Sequence, residues 1–247
     1  MPNLVIDIGN TFTKIAVFEN DELLKVDQYQ QPTQQNIDSF LSGSKIGGVI
    51  ISSVKTDKQP WQTTLEKDFG VIQFNSGITA GINNQYRSPK TLGADRLAAV
   101  IGANYLFPNI NNIIISGGTC ITYDFVDAGA NYFGGSISPG LNMRYKAVNH
   151  YTAALPLLQA DENFSSPYGN DTISAIKSGV QNGVKYELQG FINEYIKATQ
   201  GYNIILSGGD SIFFDTLLKN SIFAPCIKIE PYLVLKGLNA AIQKHND

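Results

Sequence analysis

The 247-residue chain is 43% hydrophobic and 16% charged, with a formal net charge of −3. That is a globular composition with room for one large domain or two modest ones, and it lacks the basic excess of a nucleic-acid-binding surface. Met1-Pro2-Asn3 leads into a patterned segment with no basic region or cleavage site, so no signal peptide is expected, and no apolar run approaches the roughly 20 residues of a membrane span.

Residues 3 to 8 (NLVIDI) and 12 to 18 (FTKIAVF) read as two strands around a Gly9-Asn10 turn, a glycine–asparagine pair between β-rich runs being a strong hairpin signal. Glu19-Asn20-Asp21 makes a second turn into a third strand, ELLKVDQY. A polar helix at about 33 to 43 precedes the apolar strand GGVIISSV at 47 to 54. Residues 55 to 80, with the lone Trp61, carry no functional signal. Leu92 to Phe107 is expected to be helical, with Leu97, Val100, Ile101 and Tyr105 on one face and Pro108 at its end.

From residue 113 the order restarts. IIIS and ITYDFV form a hairpin, NYFGGSIS a third strand, and amphipathic helices span roughly 170 to 199. NIILSGGDS (203 to 211) returns to a strand entering a glycine pair, and a helix from about Val234 to Lys244 closes the chain. With Gly118 set over Gly9, Asn10 falls over Thr119, Thr13 over Thr122 and Lys14 over Tyr123, while Asp7 falls over Ser116. Two hairpins could match by chance, but the restart of the whole order favours a duplicated β-β-β-α-β-α unit, dividing the chain into residues 1–110 and 111–247.

An aspartate delivered by a strand into Gly-Asn-Thr suits phosphate and magnesium. Glycine lets backbone N–H groups approach phosphate oxygens, and the carboxylate can hold Mg²⁺ through water. Lys14 leaves the turn as a point charge within reach of phosphate. Two such hairpins would clamp a nucleotide from both sides, with Gly208-Gly209 as a platform for base or ribose. No Walker A motif and no dinucleotide-binding glycine motif occurs. In QYRSPKTLGADRLAAV, Asp95 falls in the first turn of a helix, where a bland capping role explains it. It is also the carboxylate a kinase needs to accept a hydroxyl proton, beside Arg96, Arg87 and Tyr86. Arginine is scarce, Arg144 being the third and last, so each may mark a place that needs a planar fork of donors. Cys120 and Cys226 with two histidines cannot form a four-thiolate or four-imidazole zinc site, and the cysteines read as free buried thiols of a reduced, cytoplasmic protein.

In order, DIGNTFTK, YRSPKTLGADR, SGGTCITYD, GGSISPGLNMR and NDTISAIKSG resemble the motifs of type III pantothenate kinases, over residues 4 to about 210. The resemblance implies an α/β fold of two actin-like ATPase (ribonuclease H-like) domains with a nucleotide cleft between them. It implies ATP- and Mg²⁺-dependent phosphorylation of the primary hydroxyl of pantothenate, the first step of coenzyme A synthesis, by a homodimer activated by potassium or ammonium. Carried over by position, it places ATP at Asp7, Gly9, Asn10, Thr11, Thr13, Lys14 and Thr119. Asp95 becomes the general base. Tyr86, Gly93, Ala94, Asp95 and Arg96 line the pantothenate pocket, joined by Thr172 across the dimer. Gly134 to Gly140 form a wall of the site.

The chain departs from the family at Ser116, where the family writes the aspartate tied to its monovalent cation. A neutral hydroxyl attracts potassium far less than a carboxylate, so a weakened or absent cation requirement is expected. Ser116 also admits a regulatory protein of the same fold that keeps the nucleotide clamp without activity. The intact Asp7, Lys14, Asp95 and Arg96 argue for the enzyme, and the LGADR block argues against a sugar or acid kinase.

Overall fold

The computed structural model describes residues 1–55, 57–197 and 201–246. The chain forms two compact units. The first takes Met1–Pro108, Ala130–Phe133 and Tyr232–Asp247, and the second takes Asn109–Gly129 and Gly134–Pro231.

The first unit is built on a five-stranded sheet. Strands β1 (Asn3–Ile8), β2 (Thr13–Glu19) and β3 (Glu22–Tyr29) run antiparallel in succession. After helix α1 (Gln34–Leu41), β4 (Gly48–Ser53) pairs parallel with β1. Helix α2 (Pro60–Asp68) leads to β5 (Val71–Gln73), which gives the order β3-β2-β1-β4-β5. Strand alternation divides the faces. Leu4, Ile6, Ile8, Ile15 and Val17 pack with Ile37 and Phe40 of α1 and Trp61 and Leu65 of α2. The opposite face, with Val5, Ala16 and Ile50, meets α3 (Ala94–Leu106) and α8 (Leu233–Asn246).

Helices α3 and α8 cross so closely that a Cβ on Gly237 would lie 1.8 Å from the Ala98 carbonyl oxygen. This crossing places the C-terminal helix in the first unit, whereas the division near residue 110 assigns it to the second. Leu97, Val100 and Ile101 are buried as expected, but Tyr105 is 37% exposed and its hydroxyl donates to Asp21. The phenol needs a polar partner, and it finds one at the sheet's rim.

The second unit repeats the plan. Strands β7 (Asn111–Gly117) and β8 (Cys120–Val126) form a hairpin, and β9 (Asn131–Pro139) lies beside β8. The start of β9 belongs to the first unit and pairs there with β6 (Asn83–Asn84). Helices α4 (Leu141–His150), α5 (Thr172–Lys177) and α6 (Gly183–Ile196) follow, a π-helical stretch at Ser178–Asn182 joining the last two. Strand β10 (Tyr202–Gly208) pairs parallel with β7, and after α7 (Ser211–Leu218) β11 (Ile227–Ile229) pairs with β10. The order β9-β8-β7-β10-β11 matches that of the first sheet, strand for strand. The amphipathic helices expected over roughly 170–199 are α5 and α6 with the π-helical stretch between them, and residues 198 and 199 lie outside the described residues. Helices α2, α4 and α7 had no sequence expectation.

The two hairpins differ in one respect. Ile8 pairs with Thr13, leaving the four-residue loop Gly9–Phe12, whereas Gly117 pairs with Ile121 across three residues. The loop is longer than the two-residue turn expected at Gly9-Asn10. It also shifts the correspondence after the turn by one. Asp7 faces Lys14, and Ser116 faces Thr122, so Thr122 rather than Tyr123 stands in the place of Lys14.

Candidate active site

Asp7 is the central member of a row across the first sheet. It pairs with Lys14 of β2 on one side and with Ser52 of β4 on the other. Strand alternation puts all three side chains on the face toward α3 and α8. The residue is partly accessible, but Asp7 Oδ1 and Ser52 Oγ are both enclosed and neither has a hydrogen bond of good geometry among the described residues, the Ser52 hydroxyl standing beside the Asp7 carboxyl. Buried polar atoms are nearly always satisfied, so this pair marks a place prepared for a group that supplies the missing contacts. Burial pushes the Asp7 carboxyl up to about 6, and the nearby charge of Asp95 adds to the rise. Lys14 and the Ser52 hydroxyl oppose it. A cation at Asp7 would relieve the cost of this buried negative charge.

Asp95 occupies the first turn of α3. Its Oδ1 accepts from the Arg96 backbone N–H at 2.9 Å and lies over Gly93, where a Cβ would come within 2.6 Å of it. Gly93 is therefore the residue that leaves room for this carboxylate. Arg96 is buried, its guanidinium 5.7 Å from the centre of the Tyr86 ring. Tyr86 stacks in turn on Tyr132, with ring centres 6.3 Å apart. Ala94 lies between Gly93 and Asp95 at the helix start. The structure thus brings Tyr86, Gly93, Ala94, Asp95 and Arg96 together, with Asp95 close enough to act electrostatically on Asp7. Arg87 is exposed.

The loop after β1 is closed by a hydrogen bond from Gly9 N–H to the Phe12 carbonyl, and Asn10 and Thr11 are exposed. Thr13 is different. It is 2% exposed and pairs with Ile8, so its side chain joins the α1/α2 face, opposite to Asp7 and Lys14. The alternation that aims Lys14 at the site aims the Thr13 hydroxyl away from it.

In the second unit the matching row is Ser207, Ser116 and Thr122, three hydroxyls where the first unit has Ser52, Asp7 and Lys14. Ser116 Oγ is buried without a partner among the described residues. Thr119 is exposed at the turn, and its carbonyl accepts from Gly140 N–H at 3.1 Å. Gly140 precedes α4 and has no room for a side chain, since a Cβ would lie 2.2 Å from the Gly118 carbonyl oxygen. Gly208, at φ +79°, packs against Gly117 with equal closeness. Thr172 is exposed at the start of α5 and lines a cavity of about 620 Å³ with Arg144, Val148, Leu155 and Ile176. Cys120 and Cys226 are free thiols, half-buried rather than fully enclosed.

Ser52 was missed by sequence reasoning, and so was the cluster of Glu187, Arg144, Ser138 and Tyr123 in the second unit. The one available signal for Ser52 was that an apolar strand following the hairpin ends in two serines. For the cluster, the scarcity of arginine pointed to Arg144, and Ser138 lay in the Gly134–Gly140 segment read as a wall of the site. Among the described residues there is no group of three or more His, Cys, Asp and Glu side chains able to hold a metal. A single carboxylate with a neighbouring hydroxyl fits hydrated Mg²⁺, which keeps several waters and takes one or two carboxylates. No helix among the described residues is long and apolar enough to cross a membrane.

Residues 3–194 match the model of the type III pantothenate kinase family. The chain is 40% identical over 246 residues to the type III pantothenate kinase of Phocaeicola vulgatus, covering 99% of each chain. It is 41% identical over 223 residues to that of Flavobacterium johnsoniae, covering 90% of this chain and 91% of the other. Among solved structures, a Baf family protein from Campylobacter jejuni aligns with a TM-score of 0.63 at 19% identity, over 98% of each chain. The ADPNP-bound activator of 2-hydroxyisocaproyl-CoA dehydratase from Clostridium difficile aligns with a TM-score of 0.59 at 12% identity, over 100% of this chain and 96% of the other. These two likenesses concern the fold alone.

Proposed function

The chain belongs to the type III pantothenate kinase family, and from that premise we propose that Asp95 is the base, and Asp7 the metal-holding carboxylate, of an ATP-dependent pantothenate kinase. The enzyme phosphorylates pantothenate in coenzyme A biosynthesis. The observation that carries the residue assignment is the convergence, within the first unit, of Asp95, Arg96, Lys14 and an enclosed Asp7. A regulatory protein of the same fold finds no support in the family match or in the curated relatives.

The reaction follows from these groups. The exposed loop Gly9–Phe12 and Lys14 hold the phosphates, with Asn10 and Thr11 as polar contacts. Thr13 contributes through its backbone, its side chain being turned into the core. Asp7 would hold Mg²⁺ through water, and the ion would supply charge neutralisation for the phosphates. Tyr86, Gly93, Ala94 and Arg96 bind pantothenate so that its primary hydroxyl meets Asp95. Asp95 takes the hydroxyl proton as the oxygen bonds to the γ-phosphorus, and the bond to the β,γ-bridging oxygen breaks to release ADP. In the second unit, Thr119 is assigned a nucleotide contact and Thr172 a pantothenate contact. The enzyme is taken to be a cytoplasmic homodimer, an assignment that rests on the family and that sedimentation of the purified chain tests. The activity is tested by incubating the protein with γ-labelled ATP, Mg²⁺ and pantothenate. Label must appear on pantothenate, and label released only as free phosphate would remove the assignment.

Two further results are expected. Ser52→Ala raises the Mg²⁺ concentration needed for half-maximal turnover about tenfold, the usual lower range for loss of a group supporting a metal carboxylate. An unchanged Mg²⁺ titration would separate Ser52 from the ion. At Ser116 the chain offers hydroxyls where a carboxylate would draw a monovalent cation, so turnover is expected to vary little among potassium, ammonium and sodium. Ser116→Asp is expected to create potassium activation. Strong potassium activation of the native enzyme would sink this assignment.

A further inference from the structure

We infer that Glu187 is a positioning residue for the glycine turn that carries Thr119, an inference that rests on reading Thr119 as a nucleotide contact. Glu187 stands on α6, half-buried, and collects donors from three other elements. Tyr123 Oη of β8 donates to Oε1 at 2.7 Å, Ser138 Oγ of β9 donates to Oε1 at 2.5 Å, and Arg144 of α4 donates through Nη2 to Oε2 at 2.6 Å.

The second arm of Arg144 leads to the turn. Its Nε donates to the Pro139 carbonyl at 2.8 Å, immediately before Gly140. Gly140 N–H then donates to the Thr119 carbonyl, with the two backbones too close for any side chain between them. Glu187 is thus joined to Thr119 through Arg144, Pro139 and Gly140 by bonds at every step. With its carbonyl held toward α4, the Thr119 backbone is fixed at the turn, and with it the exposed side chain whose hydroxyl would contact the nucleotide.

A purely packing role would not call for this chemistry. A partly buried ion pair is weak evidence for stability, since desolvation offsets its attraction. What the planar guanidinium fork supplies is orientation, one donor on a carboxylate and one on a named carbonyl. Here that orientation fixes the corner between β9 and α4, and with it the Thr119 turn. Close backbone contact continues along the same strand, where a Cβ on Gly135 would lie 1.7 Å from the Tyr123 carbonyl oxygen.

The test is the affinity of the full chain for a non-hydrolysable ATP analogue with Mg²⁺, measured by calorimetry beside a thermal unfolding curve for each variant. Glu187→Ala is expected to weaken binding about tenfold, the effect of losing roughly one charge-assisted hydrogen bond's net contribution. Glu187→Gln can keep one oxygen acceptor for Arg144 Nη2, its NH2 turned to the Tyr123 and Ser138 hydroxyls, which can accept, and is expected to bind within about threefold of native, with Arg144→Lys between the two. A merely structural residue would lower the unfolding temperature and leave the affinity of the folded protein unchanged. Native affinity in folded Glu187→Ala overturns the inference. If that variant does not fold, native affinity in Arg144→Lys overturns it instead. Thr119→Ala separates the two levels. If it binds the analogue as native does, the reading of the turn fails and the inference with it. If it weakens binding while Glu187→Ala does not, only the inference fails.

Discussion

Asp7→Asn is expected to lower pantothenate-dependent turnover about 10³-fold or more, because a metal-held phosphate supplies several kcal/mol of transition-state stabilisation and each ~1.4 kcal/mol is tenfold in rate. The variant should also lose the Mg²⁺ dependence of nucleotide binding. The same change is expected to stabilise the protein free of metal and nucleotide. Burial, helped by the charge of Asp95, raises the Asp7 carboxyl from 3.8 to about 6 in the folded state. The folded protein therefore binds a proton that the unfolded chain has released between those two values. Below about pH 3 both states are protonated and the group is neutral to stability, and near pH 4 the difference is still small. As pH rises through 6, the folded state comes to bear the full cost of a buried charge, of order 3 kcal/mol at most. Asparagine carries no such charge. Thermal unfolding should show Asp7→Asn more stable than native at pH 7.5 and nearly equal to it near pH 4. Equal stability at both pH values would contradict the enclosed carboxylate described above.

Asp95→Asn is expected to lower kcat by about 10²- to 10⁴-fold, the range for losing a positioned general base, with little effect on the affinity for the ATP analogue. That split separates it from Asp7→Asn, which acts on nucleotide and metal. It also separates the base from a helix cap. An asparagine side-chain oxygen can still accept from the Arg96 N–H, so a capping role would survive the substitution with turnover intact. A second consequence follows from the charge coupling. Removing Asp95 removes the like charge that raises Asp7, so the pKa of Asp7 should move down toward its ordinary value.

Local pattern made much of this readable from sequence. Period-two strands punctuated by Gly9-Asn10, Asn20-Asp21 and Gly118 showed both hairpins, and the restart at residue 113 showed the duplicated plan that the two matching strand orders display. The turn residues and the LGADR block lay in short contiguous stretches, so Asp7, Lys14, Asp95 and Arg96 could be named. What stayed hidden was non-local or depended on register. Ser52 joins Asp7 only because β4 pairs with β1 in one particular alignment. Glu187 meets Tyr123, Ser138 and Arg144 across 43 to 64 residues of chain. Helix α8 returns to the first unit through the glycine contact of Gly237 on Ala98, which no periodicity reports. The alternation that selects Lys14 for the site turns the Thr13 side chain away from it, a consequence of register that the motif alone does not carry. The one-residue difference between the hairpin loops likewise moved the counterpart of Lys14 from Tyr123 to Thr122.

The most direct test of the central claim, that Asp95 activates the hydroxyl of pantothenate, is a coupled ADP-release assay on the native enzyme and on Asp95→Asn, each with and without pantothenate. The expected result is ADP release by the native enzyme that depends on pantothenate and falls to near background in the variant, with the ATP analogue still bound. Pantothenate-dependent release that survives in Asp95→Asn at the native rate would contradict it.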